Sequence, residues 1–144
     1  MKVEELRIGN LVFVNDQVCN PELEGVTMIV KEIYKDRLVC DYMLVVSDII
    51  NRKTHNVSIG DIKPIPLTEE VLLKCGFEIK PDSSLPTFVY SGRLDLQVEF
   101  MLGEYSFRIE VENRHTTFVR VIKYLHELQN LYFSITGEEL EVEL

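Results

Sequence analysis

Apolar and polar residues alternate almost without a break over Leu94–Phe100, Tyr105–Glu112 and Glu139–Leu144. Side chains on a strand point to opposite faces with period two, so each stretch predicts a strand with one oily and one wet face. Asp95, Glu99, Glu110, Glu112, Glu139, Glu141 and Glu143 fall on the wet faces, against a single base, Arg108. The pattern predicts a half-exposed sheet with a strongly acidic outer surface. Before the third stretch the period changes. Val121, Leu125, Leu128, Tyr132 and Ile135 step by three and four, which predicts a helix over about 118–135 that ends at Gly137, after a polar connector at 113–117. A helix laid on the oily face of these strands is a ββαβ two-layer sandwich.

The first half reads as short strands. Leu11–Val14 follows a Gly9-Asn10 turn signal, and a polar loop holding Asn20-Pro21 runs to Gly25. Val26–Tyr34 is β-branched and apolar, Lys35-Asp36 reads as a hairpin turn into Arg37–Val46, and Val57 and Ile59 mark a further strand. Four or five short strands in about 60 residues predict a small curved sheet or SH3-like barrel over 1–66, with an open antiparallel sheet as the plainer alternative. Pro64 and Pro66 forbid a helix before Thr68. Thr68 is an N-cap, Glu69 and Glu70 suit the first turn, and Gly76 suits the left-handed position past the end. These signals predict a helix over about 69–75 that links the small β-subdomain to the second one, 67–144. The whole is α+β.

Charge changes the picture of the second half. The chain of 144 residues has a net charge of −9. Residues 1–66 hold eight bases and ten acids, a net of −2, whereas 67–144 hold seven and fourteen, a net of −7. Such a surface repels nucleic-acid backbones and anionic membranes, attracts a basic partner, and also keeps a protein in solution. No apolar run nears the roughly 18 residues of a membrane span. Met1–Leu6 is acidic where a secretion signal is basic and then oily. Cys19, Cys40 and Cys75 are odd in number and form no CxxC pair, so they read as small thiols in a reducing cytoplasm.

Three motifs occur together: Arg7-Ile8-Gly9-Asn10-Leu11-Val12, then Ile62-Lys63-Pro64-Ile65-Pro66-Leu67-Thr68-Glu69-Glu70, then Leu125-His126-Glu127-Leu128-Gln129-Asn130-Leu131-Tyr132-Phe133 with Thr136-Gly137-Glu138-Glu139-Leu140 after it. As a set they resemble a group of small uncharacterised proteins of Bacteroidetes-type genomes and their phages or integrated elements. The resemblance implies a mobile-element setting and a cytoplasmic protein. It brings no activity, cofactor or catalytic residue.

Candidate chemistry is sparse. His55, His115 and His126 do not have metal-ligand spacing, and no nucleophile elbow, phosphate loop or calcium loop occurs, so no catalytic, metal or cofactor residues are assigned. His126 and Asn130 lie four apart on the long helix and read either as a polar binding stripe or as a solvated side. The basic residues of the first half are scattered among acids, so no direct nucleic-acid contact is expected. What remains is a non-enzymatic protein–protein interaction module. It would meet a basic protein partner through Asp95, Glu99, Glu110, Glu112, Glu141 and Glu143. Two alternatives stand beside it: an acidic nucleic-acid mimic that inhibits a DNA-binding enzyme, and a small enzyme whose site is assembled from distant residues.

Overall fold

The computed structural model describes residues 1–15, 21–39, 41–81, 83–91, 95–111 and 115–143, with the backbone alone at 95, 109–111 and 115–118. It divides into two compact units, Met1–Ile65 and Pro66–Leu144.

In the first unit, residues 7–10 form a tight turn. The Asn10 side chain accepts from the Arg7 amide at 2.7 Å, and the Asn10 amide donates to the Arg7 carbonyl at 3.1 Å. Gly9 takes φ +94°, as the third position of a type II turn requires. The turn delivers β1 (Leu11–Val14) between two antiparallel neighbours, β2 (Thr27–Lys35) and β5 (Ile62–Pro64). With β3 (Tyr42–Asp48) and β4 (Thr54–Ser58) the strand order is β4-β3-β2-β1-β5. β2 carries a register shift between Val30 and Glu32. Val12, Met28, Val30, Leu44, Val46 and Val57 are buried as its core.

Two expectations for this unit are corrected. The sheet does not close into a barrel, because β4 and β5 are its two edges. β5 offers only three residues, one of them Pro64, which has no amide to donate. Residues 37–39 are also turn and β3 starts only at Tyr42, so the chain does not turn at Lys35-Asp36 into a strand from Arg37. The Asp36 carboxylate accepts from the Leu38 amide at 2.7 Å and the Val39 amide at 3.3 Å, so these residues bond to a turn side chain instead of a strand.

The second unit opens with α1 (Glu69–Lys74). Thr68 Oγ1 accepts from the Val71 amide, Gly76 takes φ +81°, and the Phe77 amide returns to the Leu72 carbonyl at 3.1 Å. A five-stranded antiparallel sheet follows: β6 (Glu78–Ile79), β7 (Thr87–Ser91), β8 (Asp95–Met101), β9 (Glu104–Val111) and β10 (His115–Ile122), in the order β10-β9-β8-β7-β6. α2 (Leu125–Thr136) and α1 cover one face. Phe77 packs on Tyr90 and Tyr90 on Tyr132, with ring centroids 5.3 and 5.5 Å apart, over buried Leu96, Val98 and Phe107.

The ββαβ plan is therefore corrected at both ends of the helix. Residues 115–122 are a strand, and the helix starts at Leu125, not near 118. Thr116, Thr117, Val119, Val121 and Ile122 are β-branched and favour extended backbone. The start is set by Glu127, whose Oε2 accepts from the Lys123 and Tyr124 amides at 2.7 and 3.1 Å. The expected last strand is absent over 140–143. Leu140 is buried there, Glu141 and Glu143 are exposed, and the Glu143 amide donates to the Lys74 carbonyl at 2.8 Å. The alternation is real, but it belongs to a segment outside the sheet whose Glu143 amide is bonded to the C-terminal end of α1.

Candidate docking surface

Residues 97 and 99 of β8 and 106 and 108 of β9 point away from the helices, opposite Leu96, Val98 and Phe107. This face is drier than the alternation predicts. Gln97, Thr87 and Ser106 are all buried. In register, Gln97 lies between Val89 and Arg108, and Ser106 between Glu99 and Val121. Arg108 Nε stands 3.0 Å from Glu99 Oε2, with side-chain exposures of 28% and 19%. Nε makes no aligned hydrogen bond, so the contact is an ion pair.

The six acids singled out from the pattern do not share one plane. Asp95 and Glu110 are direct register partners in β8 and β9. Glu99 lies four residues along from Asp95 and is matched by Arg108. Glu112 lies outside the described residues. Glu141 and Glu143 are exposed on the tail beside α1, not on the sheet, which corrects the expectation that three strands present their carboxylates together. Glu104 is half exposed and stands 3.5 Å from Lys123 Nζ.

Three hairpin connections carry a different signal, which periodicity misses. β8 and β9 join through Leu102 and Gly103, with φ +54° and +85°. Positive φ at both central positions is the type I′ turn, which favours Asn or Asp followed by Gly. A leucine there costs roughly 1 kcal/mol of backbone strain. Leu102 is nonetheless 95% exposed, and the neighbouring Met101 41%. In the first unit the Asp36 turn presents Leu38 and Val39, and the β3–β4 turn presents Ile50, all strongly exposed. That second turn is held by Asp48, which accepts from the Asn51 amide and side chain and from the Ile50 amide. These bonds keep its carboxyl below the ordinary value. A leucine in a hairpin turn ahead of glycine, and aliphatic pairs one or two residues after an aspartate, are the sequence marks that find these sites.

Each unit also carries an open hollow of about 340 Å³. One, in the second unit, is lined by Glu78, Ile79, Lys80, Pro81, Val89, Ser91 and Gln97. The other, in the first, is lined by Glu22, Leu23, Val26, Asp48, Asn51, Lys53 and His55. No group of three His, Cys, Asp or Glu among the described residues is placed to hold a metal ion. His126 is buried and stacks on Tyr124, and Gln129 is buried too, so that side of α2 is not the solvated one. Burial pushes the Cys75 thiol up to about 12, where it stays protonated at neutral pH and is a poor nucleophile. Burial and the neighbouring Tyr90 hydroxyl, 3.5 Å away, raise Tyr132 to about 12.

The three sequence motifs resolve into structural parts. The first makes the Arg7–Asn10 turn, the second β5 and the cap of α1, and the third the cap and core stripe of α2. No helix among the described residues is long and apolar enough to cross a membrane. Comparison with protein-family models, with curated proteins and with solved structures gave no match.

Proposed function

We propose that the chain is a phage- or mobile-element-type protein that acts in the cytoplasm as a non-enzymatic protein–protein interaction module, docking a basic partner on its second unit. The observation that carries this reading is the register pair Asp95 and Glu110, in a unit whose net charge is −7. Like charges directly opposite on neighbouring strands lower stability. A basic partner offers opposite charge to such a unit. The mobile-element setting is supported by the three motifs together. The first unit is read as an open relative of the SH3-like arrangement, supported by β1 lying between β2 and β5 and by a 3₁₀ turn, Ile59–Asp61, just before β5.

The test uses Asp95→Lys and the triple variant Asp95→Lys, Glu110→Lys, Glu78→Lys as baits beside the native chain. Asp95→Lys faces Glu110 with an opposite charge and raises stability by up to about 1 kcal/mol, while the triple variant loses the partners that the native bait recovers. Equal recovery by all three baits removes the acidic surface from the function.

A further inference from the structure

Leu102 is disfavoured by its surroundings in two independent ways. Its backbone is left-handed, at φ +54°, and its side chain is 95% exposed. Local backbone preference would place asparagine or aspartate there, and burial does not compensate for the leucine. Met101 beside it adds a second exposed apolar side chain, and the pair stands at the apex of the hairpin formed by β8 and β9. We infer that Met101 and Leu102 are an anchor that seats in an apolar cleft of a basic protein. This rests on the interaction-module reading and names where that module makes its tightest contact.

Charge chooses the occupant. The unit behind the apex has a net charge of −7; Glu99 and Glu104, in the two strands that carry the apex, stand beside Arg108 and Lys123, so the sign comes from the unit as a whole. A cleft ringed by bases therefore gains both apolar contact at its centre and opposite charge at its rim. An anionic bilayer repels the same unit. A second copy meets it with like charge. A few central residues carry most of the affinity in such contacts, and a turn fixed before binding loses little freedom on docking.

The experiment places a benzophenone photo-crosslinking residue at position 102 of the full chain, with a control at Leu73 on α1, in the cell that naturally carries the protein. The adduct is sequenced, the captured protein is purified, and its affinity for native chain and Leu102→Asn is measured at two salt concentrations. The inference holds if position 102 gives a discrete adduct with a basic protein at an apolar cleft, the affinity falls with salt, and Leu102→Asn weakens binding at least tenfold while raising Tm by about 2–4 °C. An adduct with a second copy or with lipid, or no adduct, overturns it, as does binding within twofold of native or a lowered Tm in Leu102→Asn. If the native bait recovers a partner lost by the triple charge variant but kept by Leu102→Asn, only the anchor is wrong. If no partner depends on either, the module reading fails as well.

Discussion

Glu99 and Arg108 are matched diagonally across β8 and β9, with Glu99 Oε2 3.0 Å from Arg108 Nε, on the sheet face turned from the helices. Both side chains are mostly covered, so neither charge is well solvated by water. Removing one partner strands the other. Arg108→Leu is expected to lower the unfolding free energy by about 1–3 kcal/mol. Adding Glu99→Gln to that variant restores part of the loss, and urea unfolding of both singles and the double gives a coupling of about 1 kcal/mol. A coupling indistinguishable from zero shows that the pair does not stabilise the fold.

Glu127 holds the start of α2 from three directions. Its Oε2 accepts from the Lys123 and Tyr124 amides, and its Oε1 accepts from Arg120 Nη2 at 3.2 Å. Glu127→Ala frees both amides and is expected to destabilise by about 1–2 kcal/mol, while Glu127→Gln, which still accepts at the amides, costs less. Thermal unfolding of the two variants reads this directly. Equal losses would assign the effect to the Arg120 ion pair rather than to the cap.

Local punctuation was legible in the sequence wherever one residue decides one conformation. Thr68, Gly76 and Gly137 bound the helices as their chemistry demands, and β1, β2, β8 and β9 lie near where apolar spacing puts them. Errors arose where spacing is ambiguous. Val121 fits a helical stripe with Leu125, yet it sits in a β-branched run that pairs with β9. Leu140, Val142 and Leu144 alternate with acids as a strand does, but alternation reports only extended backbone with one side shielded and does not say what shields it. Barrel closure was beyond reach because it depends on whether the two sheet edges meet. The candidate anchor at Leu102 was missed because exposure and φ belong to the folded turn and not to hydrophobic periodicity.

Acid should loosen the β3–β4 turn. The Asn51 amide and side chain and the Ile50 amide hold the Asp48 carboxyl below its ordinary value of 3.8. A carboxyl with a depressed folded pKa contributes stability above its unfolded pKa and loses that contribution as pH falls through the folded value. Wild type is therefore expected to exceed Asp48→Ala in stability at pH 6, with a gap that narrows below about pH 3.8. Denaturant midpoints from pH 6 to pH 2 measure the gap. A constant difference over that range would mean that protonation of Asp48 does not weaken the turn.

The C-terminal tail offers the sharpest contrast between sequence pattern and structure. If residues 140–143 lay at a sheet edge, alternate amides along the segment would be bonded to a neighbouring strand. In the structure the Glu143 amide is bonded to the Lys74 carbonyl, and Leu140 is 4% exposed. Amide hydrogen exchange is expected to find Glu143 protected and Glu141 fast. Leu140→Ala is expected to cost about 2–3 kcal/mol through the cavity it leaves, while Glu141→Ala, on the exposed side of the same segment, changes stability by less than about 0.5 kcal/mol. Lys74→Pro also bears on this. It removes an α1 amide but leaves the carbonyl that receives Glu143, so Glu143 protection should fall only as far as α1 itself unravels. Protection of Glu141 equal to that of Glu143 would restore a strand at the end of the chain and return Glu141 and Glu143 to the acidic sheet.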